Sequence, residues 1–149
     1  MKTFRPDEVK LIYPTTIKSS ERPKLQNSLE VFEFALQFYD ANTIEHHIST
    51  KIILLDGGCK VLGVMTVSES SQTYDIVETK FILQAAILAN ARGIIVVMNC
   101  PDGNVQPCKE MQELKMQIKA ATWLFNIELT DYMMISREDY YSFSDNKVL

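Results

Sequence analysis

The sequence has no long hydrophobic run and few of the residues that mark fibrous or disulfide-stabilised proteins. No apolar stretch reaches about 18 residues, so we expect no membrane span. Five glycines and five prolines among 149 residues exclude fibrous and low-complexity classes. An odd number of cysteines, three, favours a cytoplasmic protein with reduced thiols. We also expect no signal peptide, because charged residues interrupt the start of the chain: Lys2, Arg5, Asp7 and Glu8.

An excess of positive charge is also missing. Fifteen Lys and Arg against 19 Asp and Glu give a formal net charge of −4. The broad positive field that sequence-independent nucleic-acid binding requires is therefore not expected. What is present is 46% apolar and 23% charged residues, which suffice for one domain with a proper core.

Apolar periodicity divides the chain into strands, three helices and polar connections. The expected helices cover 28–40, 77–91 and 108–125, and the first opens on a capping box of Asn27 and Glu30. The expected strands are 8–13, a hairpin of 51–56 and 60–68, a buried central strand at 93–97, and three short pieces at 127–129, 132–136 and 140–143. This order predicts an α/β (or α+β) class, with a mixed sheet flanked by helices. Residues 1–27 are expected to be an N-terminal strand and extended leader packed on a single domain of residues 28–149.

The loop after the central strand carries the most informative spacing. The end of a central strand projects side chains into a crevice, which makes this a common place for chemistry. The stretch MNCPDGNVQPCKEM, residues 98–111, resembles in frame and loop length the metal motif of the RadC-like branch of the JAB (JAMM or MPN) metallohydrolase family. The frame is held by Pro101, Gly103, Asn104 and Pro107.

The resemblance extends over nearly the whole chain. ILLDGGCKVLGVMTVS, ILANARGIIVV and YYSFSDNKVL follow the family pattern in the same order. The resemblance implies the JAB/MPN sandwich, a cytidine-deaminase-like fold. It also implies a DNA-repair association and a zinc-dependent hydrolase site.

The residues that carry the family's chemistry do not match. In the family, two His and an Asp bind zinc, a Glu is the general base and a Ser helps to hold the oxyanion. The ligand positions read Met98, Cys100 and Met111 here, the base position reads Ile48, and the Ser position reads Cys108. Because all five are replaced, we expect no catalytic residue, no metal and no cofactor.

Two interpretations of these replacements are open. In the first, Ile48, Met98 and Met111 fill the core, since Met adapts to irregular gaps. In the second, Cys100 and Cys108 form a soft-metal or redox pair, to which the two methionines contribute.

Several other positions depart from the family or carry titratable groups. The family's Asp-His pair after the last helix reads Asp131-Tyr132, and its paired glycines after the hairpin read Glu69 and Ser70. Asp102 is expected to support turn geometry. A surface or capping role is expected for the adjacent His46 and His47, which point to opposite sides if they lie on a strand.

The first functional hypothesis is a RadC-like, DNA-repair-associated domain that is non-catalytic and serves as a binding or assembly module. Its expected partner is another protein or a second copy of itself, with nucleic acid implied only by the family association. The alternative is a metal-dependent hydrolase, a JAMM-type peptidase or isopeptidase, with a remodelled Cys/Met site.

Overall fold

The computed structural model describes residues 3–10, 12, 16–70 and 77–149. A short 3₁₀ turn, Ser19–Glu21, precedes the first helix. In chain order the elements are α1 Ser28–Leu36, β1 Ile48–Leu55, β2 Val61–Ser70, α2 Thr79–Leu88, β3 Gly93–Asn99, α3 Lys109–Trp123, β4 Glu128–Ile135 and β5 Tyr140–Ser142. None of the described helices combines the length and apolar character that a bilayer span requires.

The five strands form one mixed sheet in the order β2-β1-β3-β4-β5. Strands β1 and β2 form the predicted antiparallel hairpin, β1 also pairs antiparallel with β3, β3 pairs parallel with β4, and β4 pairs antiparallel with β5. This arrangement confirms the mixed α/β (α+β) class with a JAB/MPN-type sandwich. Because β1 and β3 run in opposite directions, the start of β1 and the end of β3 meet at one end of the sheet.

Helices cover both faces of the sheet centre. Every residue of β1 and β3 is buried, and for β3 the continuous apolar run at 93–97 predicted this. On one face, Ile52 and Val96 pack with Ile82 of α2 and Ile118 of α3. On the other face, β1 and β3 pack against the apolar side of α1. Side chains alternate along a strand, so neighbouring residues of β1 enter different cores.

The first helix begins where its capping residues predicted and ends earlier than expected. The side chain of Asn27 accepts a hydrogen bond from the Glu30 amide at 2.9 Å, and the Glu30 carboxylate accepts one from the Gln26 amide at 2.7 Å. The helix ends at Leu36 rather than at residue 40, and Phe38 beyond it is exposed.

Two predicted strand boundaries were wrong. The pieces at 127–129 and 132–136 belong to one strand, β4, whose pairing with β3 shifts between Ile94 and Ile95. This irregularity interrupts the alternation that a sequence pattern relies on. The strand at 8–13 is wrong for residues 8–10 and 12, which are exposed and lack a partner strand in the described part of the chain. Residues 11 and 13 lie outside the described residues.

Candidate functional site

The five family positions gather around one end of the sheet. Ile48 begins β1, and Met98 lies next to the last residue of β3, with Thr50 and Met134 as its neighbours on the flanking strands. A loop then leads from Cys100 to the start of α3. The sequence frame therefore folds into the strand–loop–helix arrangement that its spacing predicted.

The conformation of the loop depends on residues that match the family frame. The amide of Gly103 donates to the carbonyl of Cys100 at 3.0 Å and closes a turn. Gly103 has a φ of 81°, in the left-handed region that glycine adopts without strain. The side chain of Asp102 accepts a hydrogen bond from the Asn104 amide at 3.0 Å, which is the turn role expected of it.

Four of the five replaced positions contribute to a single apolar core, and Cys100 is one of its buried members. Ile48 is 5% exposed and Met98 is 2% exposed, and both lie in the core beneath α2 and α3. Met111, in the first turn of α3, is partly buried and packs against the same core. Apolar side chains therefore occupy the places from which the family's base and two of its metal ligands would act.

The two cysteines of the loop lie in different environments. Cys100 is buried, whereas Cys108 is exposed as the N-cap residue of α3, and both are free thiols. Burial raises the pKa of the Cys100 thiol to about 12, with smaller contributions from the Asp102 carboxylate and from Cys108. A reactive redox pair requires a thiolate, so protonated Cys100 is poorly suited to that role at neutral pH.

The donor atoms at these positions do not fit a catalytic zinc ion. Zinc hydrolases hold the metal through imidazole, carboxylate or thiolate groups. The corresponding atoms here include the thioethers of Met98 and Met111, which are poor zinc ligands, so only the Cys100 sulfur remains as a suitable donor. Over the ranges that the structure describes, no three His, Cys, Asp or Glu residues are grouped closely enough to hold a metal ion.

Asn99, which lies between the replaced ligand positions Met98 and Cys100, has a structural role that the sequence pattern did not reveal. Its side chain is 1% exposed and its carbonyl oxygen accepts from the Ser49 amide at 2.6 Å. Its amide nitrogen donates to the carbonyls of Ile44 and His47, each at 2.7 Å. Asn99 therefore binds the turn before β1 to the end of β3 and sets where Ile48 enters the sheet. The one feature of the sequence that could have indicated this role is the position of Asn99, a polar residue at the end of an apolar run.

The family's Asp-His position has become an anchor for the C-terminal segment. The carboxylate of Asp131 accepts hydrogen bonds from the amides of Tyr132 (2.7 Å) and Ser144 (3.0 Å) and from the Ser142 hydroxyl. Burial, opposed by these hydrogen bonds, raises the pKa of Asp131. Tyr132 is fully buried and packs edge-on against Phe143, with ring centroids 5.2 Å apart.

Two cavities of about 250 Å³ lie near this end of the sheet. One borders the loop and is lined by Cys100, Asp102 and residues 136–139. The other lies beside the turn before β1, and His47 lines it. His46 and His47 are both exposed, as their expected surface role requires.

This architecture is a JAB-type sandwich whose base position is an isoleucine and whose metal positions carry two methionines and a cysteine. The RadC-like JAB domain model matches residues 25–148, so the chain belongs to the RadC-like JAB domain family.

Curated proteins support this assignment. The chain is 30% identical to a UPF0758 protein of Thermotoga maritima over 82% of this chain and 53% of that protein. It is 29% identical to one of Chlorobaculum tepidum (85% and 55%) and 30% identical to one of Aquifex aeolicus (86% and 54%). The chain thus spans about half the length of these relatives.

Proposed function

We propose that this protein is a RadC-like JAB domain without hydrolase activity that acts as a binding or assembly module. The observation that carries the proposal is the burial of Ile48 and Met98 in one core, with Met111 packed against it. General-base catalysis typically contributes about 10²–10⁴ in rate, and an isoleucine side chain moves no proton. A metal-bound water would supply the nucleophile in a relative that has the zinc ligands.

A binding role is supported by exposed apolar side chains at the end of α3. Trp123 is 77% exposed, Leu124 79% and Met116 65%. A contiguous patch of exposed apolar side chains is typical of a protein–protein interaction site. Trp123 and Met116 line a shallow apolar groove that continues to Leu149. We therefore propose a protein partner or a second copy of this chain, in the cytoplasm, where the three free thiols stay reduced.

Elemental analysis of the purified full chain tests the loss of the metal site. We expect less than about 0.1 equivalents of zinc after exposure to the metal and desalting, because the thioethers of Met98 and Met111 are poor zinc ligands. Cys100→Ser serves as the matched control, since it removes the one thiol among the ligand positions. A stoichiometric metal in the wild type that is lost from Cys100→Ser would refute the proposal.

The partner class is tested separately by sedimentation equilibrium and by gel shift. Self-association that Trp123→Lys abolishes, and that the exposed control Glu33→Lys leaves unchanged, would support a second copy as the partner. The DNA-repair association of the family makes nucleic acid the competing partner, which the net charge of −4 disfavours. Submicromolar, salt-sensitive binding of DNA would favour that partner instead.

A further inference from the structure

A groove between α1 and the start of β2, called the α1 groove below, lies on the opposite face of the sheet from the replaced metal positions. It has a volume of about 370 Å³, and Phe34, Phe38, Val61 and Val64 are among its lining residues. Val61 and Val64 contribute to the core that packs against α1. The replaced metal positions contribute to the other core, beneath α2 and α3. The α1 groove is therefore separate from the family's site and from the exposed end of α3.

Apolar side chains that the core leaves exposed form much of the wall. Phe38 lies just beyond the end of α1 and is 45% exposed, and its ring centroid is 5.1 Å from that of Phe34. Ile17, on the segment before α1, is 54% exposed and lines the same groove. Sites for small molecules are concave and mostly apolar, with volumes of about 300–1,000 Å³. The volume and the walls of the α1 groove therefore suit an apolar small molecule.

One cation without a counter-ion also lines the groove. Arg22 is partly buried, and within the described ranges its guanidinium forms no ion pair and no hydrogen bond. The neighbouring Glu21 is exposed, and its carboxylate accepts a hydrogen bond from the Lys18 amide at 3.4 Å. Arginine is always charged and has five N–H donors and no acceptor. The Arg22 side chain is therefore free to bind an anion.

The main chain on both sides of Arg22 is held against the hairpin. Arg22 ends the 3₁₀ turn that precedes α1. The Pro23 carbonyl accepts a hydrogen bond from the Val61 amide at 2.9 Å, and the Leu25 amide donates to the Cys59 carbonyl at 3.0 Å. A side chain carried by an ordered main chain loses less conformational entropy on binding than one on a mobile loop.

The remaining polar groups of the wall carry no charge. The Thr16 hydroxyl is exposed and can donate or accept, and Gly63 brings main-chain donors and acceptors to the wall. None of the described lining residues is an Asp or a Glu. Lys18 and Lys24 lie on the same segment as Arg22, outside the lining, and add positive potential at this end of the groove. The groove therefore favours an anion over a cation, although the net charge of the chain is −4.

We propose that the α1 groove binds a small-molecule carboxylate with an apolar chain, in which the chain contacts Phe34 and Phe38 and the carboxylate pairs with Arg22. The planar guanidinium matches a carboxylate through two parallel N–H···O bonds. One guanidinium balances one negative charge, which favours a carboxylate over a phosphate monoester with about −1.5 to −2 charges at pH 7. The site is independent of the proposed function, because it uses neither the family's positions nor the apolar end of α3.

A nuclear magnetic resonance titration of the full chain with sodium octanoate tests the site. We expect saturable shifts of the Phe38 and Val64 amides with a dissociation constant of about 0.1–1 mM. Two matched probes separate the contributions: 1-octanol keeps the chain without the charge, and octylammonium reverses the charge. Both should bind about tenfold more weakly or worse, since neither can form a charge-assisted pair with Arg22. Equally tight binding of octylammonium, or no saturable shift with octanoate up to about 5 mM, would overturn the proposal.

The substitution Arg22→Gln locates the carboxylate. It is expected to weaken octanoate binding about five- to twentyfold and to leave 1-octanol binding unchanged, because only octanoate uses the guanidinium. Folding should be retained, since the Arg22 side chain has no partner to lose within the described part of the chain. The control is Lys24→Gln, which removes a positive charge outside the groove lining and should change the octanoate affinity less than about twofold. Equal weakening by the two variants would contradict a specific pair with Arg22.

The substitution Phe38→Ala locates the apolar chain. It is expected to weaken octanoate and 1-octanol about equally, by about tenfold, because both lose the same apolar contact. The control is Phe125→Ala, an exposed phenylalanine beyond the end of α3, which should leave both affinities unchanged. The amide spectrum of each variant checks that the fold is intact. Undiminished binding of both probes to a folded Phe38→Ala variant would refute the assignment of this groove.

Two further probes test the competing occupants. The tripeptide N-acetyl-Leu-Phe-Leu with a free carboxylate represents the end of a partner protein, and octyl phosphate represents a phosphorylated ligand. Tighter binding of octanoate than of either probe would support a small-molecule carboxylate, and tighter binding of either probe would overturn that assignment. The titration stays informative if the proposed binding-module function fails, because it monitors only the groove on the α1 face.

Discussion

The substitution Met98→His tests whether the first metal position lies in a packed apolar core or in a preformed, water-filled pocket. Met98 is 2% exposed and lies between Thr50 of β1 and Met134 of β4. A histidine here enters the core beneath α2 and α3, where Ile48 and Met111 are its neighbours in the same apolar cluster. At least one ring nitrogen would then be buried without a partner.

The expected cost is about 1–3 kcal/mol of unfolding free energy, from burial of a polar group in place of an apolar one. Burial also lowers the pKa of the introduced imidazole below its unfolded value of about 6.5. The unfolded state then binds more protons at acidic pH, so the variant loses up to about 1.4 kcal/mol more for each pH unit below about 6.5. Above that pH the cost is constant.

Urea unfolding at pH 8 and pH 6 measures both effects. The control is Met98→Leu, a volume-conserving apolar change expected to cost less than about 1.5 kcal/mol with no pH dependence. The fourfold variant Ile48→Glu, Met98→His, Cys100→His and Met111→Asp restores the family's donor set in the same framework. Wild-type stability of Met98→His at both pH values, or strong stabilisation of the fourfold variant by zinc, would show a wet, preformed pocket and refute the reasoning.

Three further predictions concern the surroundings of the site. Cys100 should resist iodoacetamide at pH 8, because burial keeps the Cys100 thiol protonated, whereas the exposed Cys108 should be labelled. Equal labelling rates of the two cysteines in a mass-spectrometric time course would contradict this. Asn99→Ala should cost about 2–4 kcal/mol in urea unfolding, since it leaves two buried main-chain groups and one partly buried group unpaired. A cost below about 1 kcal/mol would be inconsistent with the clamp. Burial raises the pKa of Asp131, so its contribution to stability is present at low pH and is lost as the pH rises through that pKa. Wild type should therefore lose stability relative to Asp131→Asn as the pH rises above about 3.9, the pKa of an unfolded aspartate, and parallel profiles would argue against it.

The sequence predicted the sheet centre and the helices better than the chain's outer elements. The apolar run at 93–97 and the hairpin around Gly57 and Gly58 depend on local patterns, and both elements form where expected. The strand expected at 8–13 failed for its described residues, because a strand also requires a neighbouring strand. The third helix was expected to run to residue 125 but ends at Trp123, and Phe125 beyond it is 52% exposed.

The sequence predicted which residues occupy the candidate site, but it did not predict how far each is buried or what each contacts. Spacing along residues 98–111 identified which residues replace the family's ligands. It did not distinguish buried Cys100 from exposed Cys108, which determines the protonation of the Cys100 thiol. It also did not reveal Asn99 as a clamp, because its three partners lie about fifty residues away along the chain.

The sequence by itself determined the family frame and the replacement of its chemical residues, because residue identity and spacing are properties of the chain alone. The tertiary structure decided that Ile48 and Met98 share one core while Ser49, the next residue along β1, lines a cavity on the other face. The physical reason is that burial and hydrogen bonding depend on which strands become neighbours. Strands β1 and β3 are separated by two other elements in the chain and lie side by side only after folding.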